Sequence, residues 1–197
     1  GIAAIDLAIS HFDDPDEDVK RAAFAALVKV AEEHNRHAIA SLLAKFDCTH
    51  SEKALWVLCP HRQPSERRRS IDLICGLLVD GDRCLKANAA SALVTVAADS
   101  GDEGAVGTLV ECIRARDHDQ DPEITGFHCV VHALGRVAVQ GDERALDALI
   151  ACLQDRNPLA RHTAALALPR VAAQADRRTI SALATCFEDE DAMVQDM

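Results

Sequence analysis

The chain has 197 residues and a formal net charge of −11, and aromatic residues make up only 3% of it. Such a surface lacks the clustered Lys and Arg that grip phosphate backbones and the aromatic platforms on which bases stack, so nucleic acid is an unfavoured partner. No apolar run approaches the roughly 20 residues that cross a bilayer, and no signal segment opens the sequence, so we expect a cytoplasmic protein without a membrane span.

The apolar residues are mainly Ala, Leu and Val, and Tyr is absent. Small and γ-branched side chains suit closely packed helices, whereas strands favour β-branched and aromatic residues. The composition therefore predicts an all-α protein.

The first unit of the chain shows how its helices are built. Ile5, Ala8, Ile9 and Phe12 define one face of a short helix. The turn "DDPDED" follows, and "VKRAAFAALVKVA" then predicts a second helix that a polar cluster ends. One such hairpin cannot bury its apolar stripe alone, so neighbouring units must stack to close the core.

The same pattern returns along the whole chain, as in "DGDRCLKANAASALVTVA" and "DRNPLARHTAALALPRVA". The units are spaced by 34, 32, 35, 40 and 34 residues, and they start near Ile5, Ile39, Ile71, Val106, Leu146 and Ile180. We therefore predict a single repeat array over residues 1–197, a right-handed α-solenoid of stacked antiparallel helical hairpins.

Two units depart from the pattern, and the last unit is truncated. In the second, "CTHSEKALWVLCPHRQPSERR" replaces the usual helix, and Pro60 and Pro64 are expected to cut it short. In the fourth, "RARDHDQDPEITG" lengthens the turn, and the sixth is truncated at "AMVQDM". Neither end supplies a polar capping repeat, so we expect the ends to contact further repeats or another subunit.

The recurring order is an apolar helix, an Asp-rich turn, Val followed by Lys or Arg, and then Ala-Ala-x-Ala-Leu-x-x-Val-Ala. This order resembles HEAT repeats over nearly the whole chain, and the short repeats of phycobilisome-lyase-type HEAT-like proteins are the most similar form. The resemblance implies that the second helices line a concave surface. It also leaves a bilin-lyase-type chromophore lyase or chaperone, or a subunit of one, as an alternative function.

Basic residues recur at two equivalent positions of the second helices, where stacking would align them in rows. One row comprises Lys20, Lys86 and Arg161, and the other comprises Lys29, Arg136 and Arg170, with Thr95 between them. Both rows are candidate contacts for an acidic segment of a partner protein. The alternative for the first row is pairing with the acidic turns of adjacent units, whose default role is helix capping.

The cysteine and histidine residues offer few chemical sites. Cys75, Cys112, Cys152 and Cys186 occupy helix packing positions, which predicts reduced thiols that pack as small apolar residues. A zinc site, and with it a zinc-stabilised adaptor, would need Cys48, His50, Cys59 and His61, whose C-x-H spacing is not a common one. His128 and His132 lie four residues apart without an acidic partner, which favours packing over metal binding.

We therefore predict a scaffold without a cofactor that binds a protein partner on its concave face. Catalysis is not favoured, because no Ser/His/Asp or Cys/His set marks a nucleophilic centre.

Overall fold

The computed structural model describes residues 64–80, 83–98, 100–115, 126–174 and 176–196, together with twelve positions between 7 and 26. Helices are the regular secondary structure of these residues. From residue 64 onward they are α1 (Pro64–Asp80), α2 (Arg83–Ala97), α3 (Glu103–Arg114), α4 (Phe127–Val137), α5 (Glu143–Cys152), α6 (Pro158–Val171), α7 (Arg177–Ala184), a 3-10 helix (Thr185–Glu188) and α8 (Ala192–Gln195).

Consecutive helices alternate between two layers. Helices α1, α3, α5 and α7 pack side by side in the first-helix layer, and α2, α4, α6 and α8 pack side by side in the second-helix layer. Across the layers, α1 packs against α2, α3 against α4, and α5 against α6. The chain is thus an all-α solenoid of stacked helical hairpins, as the sequence predicts, while the right-handed sense of its superhelix stays a prediction.

The core lies between the two layers and repeats from unit to unit. Leu93, Leu134 and Leu168 occupy the same position in α2, α4 and α6, and each is fully buried. Burying a leucine side chain contributes roughly 2 kcal/mol to folding. The repeat register is therefore confirmed at this position in the three units that the structure describes.

Helix α1 begins earlier than the sequence suggests. In α3, α5 and α7 the predicted unit start lies three residues inside the helix, but Ile71 lies seven residues inside α1. The difference arises at Pro64, which is the first residue of α1. Proline fits the first turn of a helix because the amide it lacks would have no intrahelical partner there.

Aspartates begin three successive helices of the first-helix layer. The side chain of Asp102 accepts a hydrogen bond from the backbone amide of Ala105. Asp142 and Asp176 do the same at the starts of α5 and α7. Each such cap contributes about 1 kcal/mol, so acidic residues are used here to begin helices.

Glycines tie each unit to the next through the backbone. Gly101, in the left-handed region with φ 62°, donates its amide to the carbonyl of Val137 at 3.0 Å. Gly141, with φ 87°, repeats this bond to the carbonyl of Val171 at 2.7 Å. A residue with a side chain is strained at such a φ, which explains why glycine recurs after the second helix.

Helices α4 and α6 approach closely at Gly135. A Cβ atom at this position would lie 2.5 Å from the Cβ of Ala167 and 3.2 Å from its Cα. Contact with backbone cannot be relieved by rotating a side chain, so a larger residue would force the two helices apart.

We expect Gly135→Ala to destabilise the protein by about 1 to 2 kcal/mol, because overpacking outweighs the gain of about 1 kcal/mol in helix propensity. The matched control is Gly107→Ala in α3, where an added Cβ meets no atom within 4 Å. That variant should be neutral or more stable. Urea unfolding of both variants tests the prediction, and equal stabilisation by the two would contradict it.

Candidate partner-binding face

Acidic residues are unevenly distributed among the helices. The sequences of α2, α4 and α6 contain no Asp or Glu, and neither does that of α7 in the first-helix layer, whereas α1, α3 and α5 each carry at least two acidic residues. The second helices are basic although the chain as a whole has a net charge of −11. Their lysines and arginines are Arg83, Lys86, Arg136, Arg161 and Arg170.

The structure brings two members of the second predicted row together around His132. Arg136 lies one turn after His132 on α4, and Arg170 occupies the equivalent position on α6. Burial lowers the pKa of His132, and the positive charges of Arg136, His128 and Arg170 lower it further. Both arginines therefore lower the pKa of the same imidazole. From the sequence pattern, His132 was expected only to pack within the fold.

Exposed apolar side chains accompany this basic cluster. Leu166 occupies on α6 the position of His132 on α4, and it is 56% exposed. Pro169 next to Arg170 is also exposed, as is Val139 beyond the end of α4. The surface that combines Arg136, Arg170, His132, Leu166 and Pro169 is named the basic face below.

Arg161, in the first predicted row, is buried at a joint between units. Its Nε and Nη2 donate to the two carboxylate oxygens of Asp189 at 2.8 and 2.7 Å. Its Nη1 donates to the backbone carbonyl of Asp155 at 2.9 Å. Arg161 is only 6% exposed. It therefore pairs with an acidic turn of the adjacent unit, which is the alternative interpretation of the first row.

Of the remaining members of the two predicted rows, the structure describes Lys86. Lys86 is half-buried on α2, and its charge acts on the thiol of Cys112 in α3. Lys20 and Lys29 lie outside the described residues.

The acidic turns share one hydrogen-bonding pattern. Asp155 accepts from the amide of Asn157, and Asn157 accepts from the amide of Leu159. The same two bonds recur at 14–18 and at 189–193. The predicted capping role of the turns is thus confirmed there, and Asp189 adds the contact with the preceding second helix.

The part of the chain that the structure describes gives little evidence for a metal site. The candidate zinc ligands Cys48, His50, Cys59 and His61 lie outside the described residues. Among the residues that are described, no three His, Cys, Asp or Glu side chains form a metal-sized group.

The thiols are packed within helices. Cys129, Cys152 and Cys186 are buried, and Cys75 and Cys112 are half-buried. Burial raises the pKa of Cys75, Cys112 and Cys186, the direction opposite to that of an activated nucleophile.

Two arginines form three further ion pairs between neighbouring helices of the first-helix layer. Arg68 of α1 donates to Asp102, the cap of α3, at 2.7 Å. Arg178 of α7 contacts Glu143 and Asp147 of α5. These pairs were not predicted from the sequence, although the separations of 31 to 35 residues match one repeat period.

No described helix has the length and apolar character needed to span a membrane. No known protein family matches the sequence, and no curated protein matches it either.

Similar solved structures include two engineered proteins, which are 19% and 16% identical to this chain with TM-scores of 0.44 and 0.47. Each match covers 98% of this chain, and 94% and 92% of the engineered proteins respectively. A designed armadillo repeat protein in complex with peptide (KR)4 is 14% identical with a TM-score of 0.43, over 96% of this chain and 94% of that one. The assignment as a helical repeat solenoid rests on the helix packing itself.

We expect Arg161→Met to lower the free energy of unfolding by about 2 kcal/mol, because it leaves the Asp189 carboxylate without its partner. Asp189→Asn and the double variant complete a cycle whose coupling should exceed about 1 kcal/mol. The control is Arg178→Met, which removes two exposed ion pairs and should have a much smaller effect. If the stability losses of the two single variants simply add in the double variant, the Arg161–Asp189 contact does not stabilise the joint between units.

The pH dependence of this pair has a defined sign. Hydrogen bonding from Arg161 lowers the pKa of Asp189 below its ordinary value. A lowered carboxyl pKa stabilises the fold above the unfolded pKa of about 4, and this contribution disappears as pH falls through the folded pKa. The stability difference between the wild type and Asp189→Asn should therefore be full at pH 7 and shrink towards pH 3, as urea unfolding at each pH would measure.

Proposed function

We propose that this chain is a non-catalytic scaffold that binds an acidic segment of a partner protein on the basic face. One observation carries the proposal: α2, α4 and α6 carry basic residues and no acidic ones, in a chain with a net charge of −11. A local positive field on an acidic protein attracts an acidic segment and repels the chain's own acidic surfaces.

Arg136 and Arg170 would make the principal contacts. They lie on adjacent stacked helices, so an extended acidic segment that crosses the second helices would meet one arginine per unit. By repeat equivalence Lys29 would extend this row in the first unit, and Lys86 would add charge beside it. We assign Arg161 to the joint between units, because Asp189 engages its guanidinium.

The HEAT-like order of the repeats supports the location of this surface. In proteins of that type the second helices line the concave side, where an elongated ligand gains contact with several units. We propose the same arrangement here. The packed thiols of α1, α3 and α5 further support a reducing, cytosol-like compartment.

The binding energy would come from charge and extended area rather than from aromatic anchors. The chain has one Trp and no Tyr, and these residue types dominate hot spots in most interfaces. Leu166 and Pro169 offer apolar contact beside Arg170. We therefore expect modest affinity that depends strongly on salt.

The test uses a fluorescein-labelled decaglutamate peptide as the acidic probe, titrated at low salt and followed by fluorescence anisotropy. We expect the double variant Arg136→Glu/Arg170→Glu to weaken binding by about tenfold or more, equivalent to about 1.4 kcal/mol. Raising the salt to about 0.3 M should weaken wild-type binding strongly.

The charge-matched control is Arg114→Glu/Arg144→Glu, which changes two exposed arginines of the first-helix layer. It should bind the peptide nearly as well as the wild type, and circular dichroism should show equal helix content in all three proteins. An equal loss of binding in the control variant would contradict a defined binding face.

A further inference from the structure

His132 lies on the basic face among other basic residues. It is exposed on α4, with His128 one turn before it and Arg136 one turn after it. Side chains four residues apart on a helix are neighbours, with about 5 to 6 Å between their Cβ atoms. A protonated His132 would therefore have a basic neighbour on either side along its own helix.

Helix α6 brings a further arginine to this imidazole. The two helices approach closely where Gly135 meets Ala167, so the side-chain rows of α4 and α6 lie side by side. Arg170 is three residues after Ala167 on α6, and its positive charge acts on His132. The equivalent of His132 on α6 is Leu166, which carries no charge.

Two other ionisable side chains of α6 are directed towards the last unit. Arg161 pairs with Asp189, and the Nδ1 atom of His162 lies 2.8 Å from the carbonyl oxygen of Met193. The group of α6 that faces the imidazole is therefore Arg170.

Helix α2 lies on the other side of α4 and presents hydroxyl groups there. Ser91 and Thr95 occupy on α2 the rows of the imidazole and of Arg136, and their Oγ atoms donate to carbonyls of their own helix at 3.2 Å. Lys86 of α2 acts on the thiol of Cys112 in α3. This side of the imidazole thus brings polar but uncharged groups in the rows that face it.

Helices α3 and α5 also pack against α4, from the first-helix layer. Glu111 of α3 pairs with Arg114, and Glu143 and Asp147 of α5 pair with Arg178. These carboxylates are exposed on their own layer, as is Glu103. In the described part of the chain, the charges that act on the imidazole are those of basic residues.

The imidazole is therefore neutral at pH 7 in the free protein. Burial and the basic neighbours lower the pKa of His132 below its ordinary value of 6.5. A carboxylate held by Arg136 and Arg170 would bring a negative charge to the same place, and a negative charge favours the protonated imidazole. Binding of an acidic segment would then raise this pKa.

We propose that His132 is a third contact for the acidic segment and that the basic face takes up one proton at this imidazole as the segment binds. The proton comes from the solvent, and the charged imidazole can donate hydrogen bonds from both ring nitrogens. This inference rests on the proposed function, since it concerns the same surface. It adds regulation by pH, because the partner binds more tightly in mildly acidic solution.

The direction of the effect follows from linkage. A ligand that raises the pKa of a group binds more tightly at a pH where the group is protonated. Affinity is therefore constant well above the pKa of the bound state, rises as the pH falls, and levels off below the pKa of the free protein. A rise of about one pKa unit on binding corresponds to a tenfold range of affinity, of which roughly fivefold falls between pH 8 and pH 6.

The test titrates each protein with a rhodamine-labelled decaglutamate peptide at one low salt concentration and compares the dissociation constants at pH 8 and pH 6. The wild type should bind about fivefold more tightly at pH 6. His132→Gln, which is neutral throughout, should keep the wild-type affinity at pH 8 and lose the gain at pH 6. His132→Lys, which is charged throughout, should bind at pH 8 about as tightly as the wild type does at pH 6.

The matched control is His11→Gln. His11 lies in the first unit, where its Nδ1 atom is 3.3 Å from a carboxylate oxygen of Asp14. This variant should keep the full pH dependence of the wild type. Titration of the peptide itself affects every protein equally, so the comparison among variants isolates His132. Circular dichroism should show equal helix content in all the proteins at both pH values.

Nuclear magnetic resonance gives a second measurement that does not depend on affinity. The pKa of His132, taken from ring-proton shifts that are assigned with the His132→Gln variant, should rise by about one unit when the peptide saturates the protein. Absence of this rise, or a pH dependence that His132→Gln retains in full, would overturn the inference.

The same experiments separate this inference from the proposed function. If decaglutamate binds and Arg136→Glu/Arg170→Glu weakens its binding, the basic face stands whatever the behaviour of His132. A wild type that binds the peptide at neither pH would overturn both.

Discussion

The fold depends on the fact that no single hairpin can cover its own apolar stripe. Leu93, Leu134 and Leu168 are buried because each second helix is covered by its own first helix and by the next second helix along the stack. Close approach between successive second helices requires small residues, and Gly135 against Ala167 is the tightest case described. Stability therefore accumulates from neighbour to neighbour, and the apolar surface of a unit stays open wherever no further helix lies against it.

Polar contacts determine where the helices begin and how neighbouring units are joined, within the stacking that the apolar contacts produce. Asp102, Asp142 and Asp176 begin the helices of one layer, and the turns at Asp155 and Asp189 bind their own backbone amides. Glycine amides at Gly101 and Gly141 join the end of one second helix to the end of the next. Many of the acidic residues are thus employed in turns and at helix starts, where the helix dipole favours negative charge.

Features that recur in every unit could be predicted from the sequence, because the repeat period and the capping residues are visible in it. The hairpins, the buried leucine position and the capping role of the acidic turns all follow from such patterns. The pairing of Arg161 with an acidic turn was one of two alternatives that the sequence left open, because the distance to Asp189 depends on how two units are superposed. The grouping of Arg136 and Arg170 around His132 likewise needed the relative rotation of α4 and α6, and the early start of α1 needed the context of Pro64.

The uneven placement of the acidic residues then has a structural origin. Carboxylates stabilise turns and the starts of first helices. One basic residue of the second-helix layer, Arg161, pairs with Asp189 at the joint between two units. Arg136 and Arg170 lie on helices that carry no acidic residue. On a chain with a net charge of −11, this placement of basic residues is the feature on which the proposed contact with an acidic segment rests.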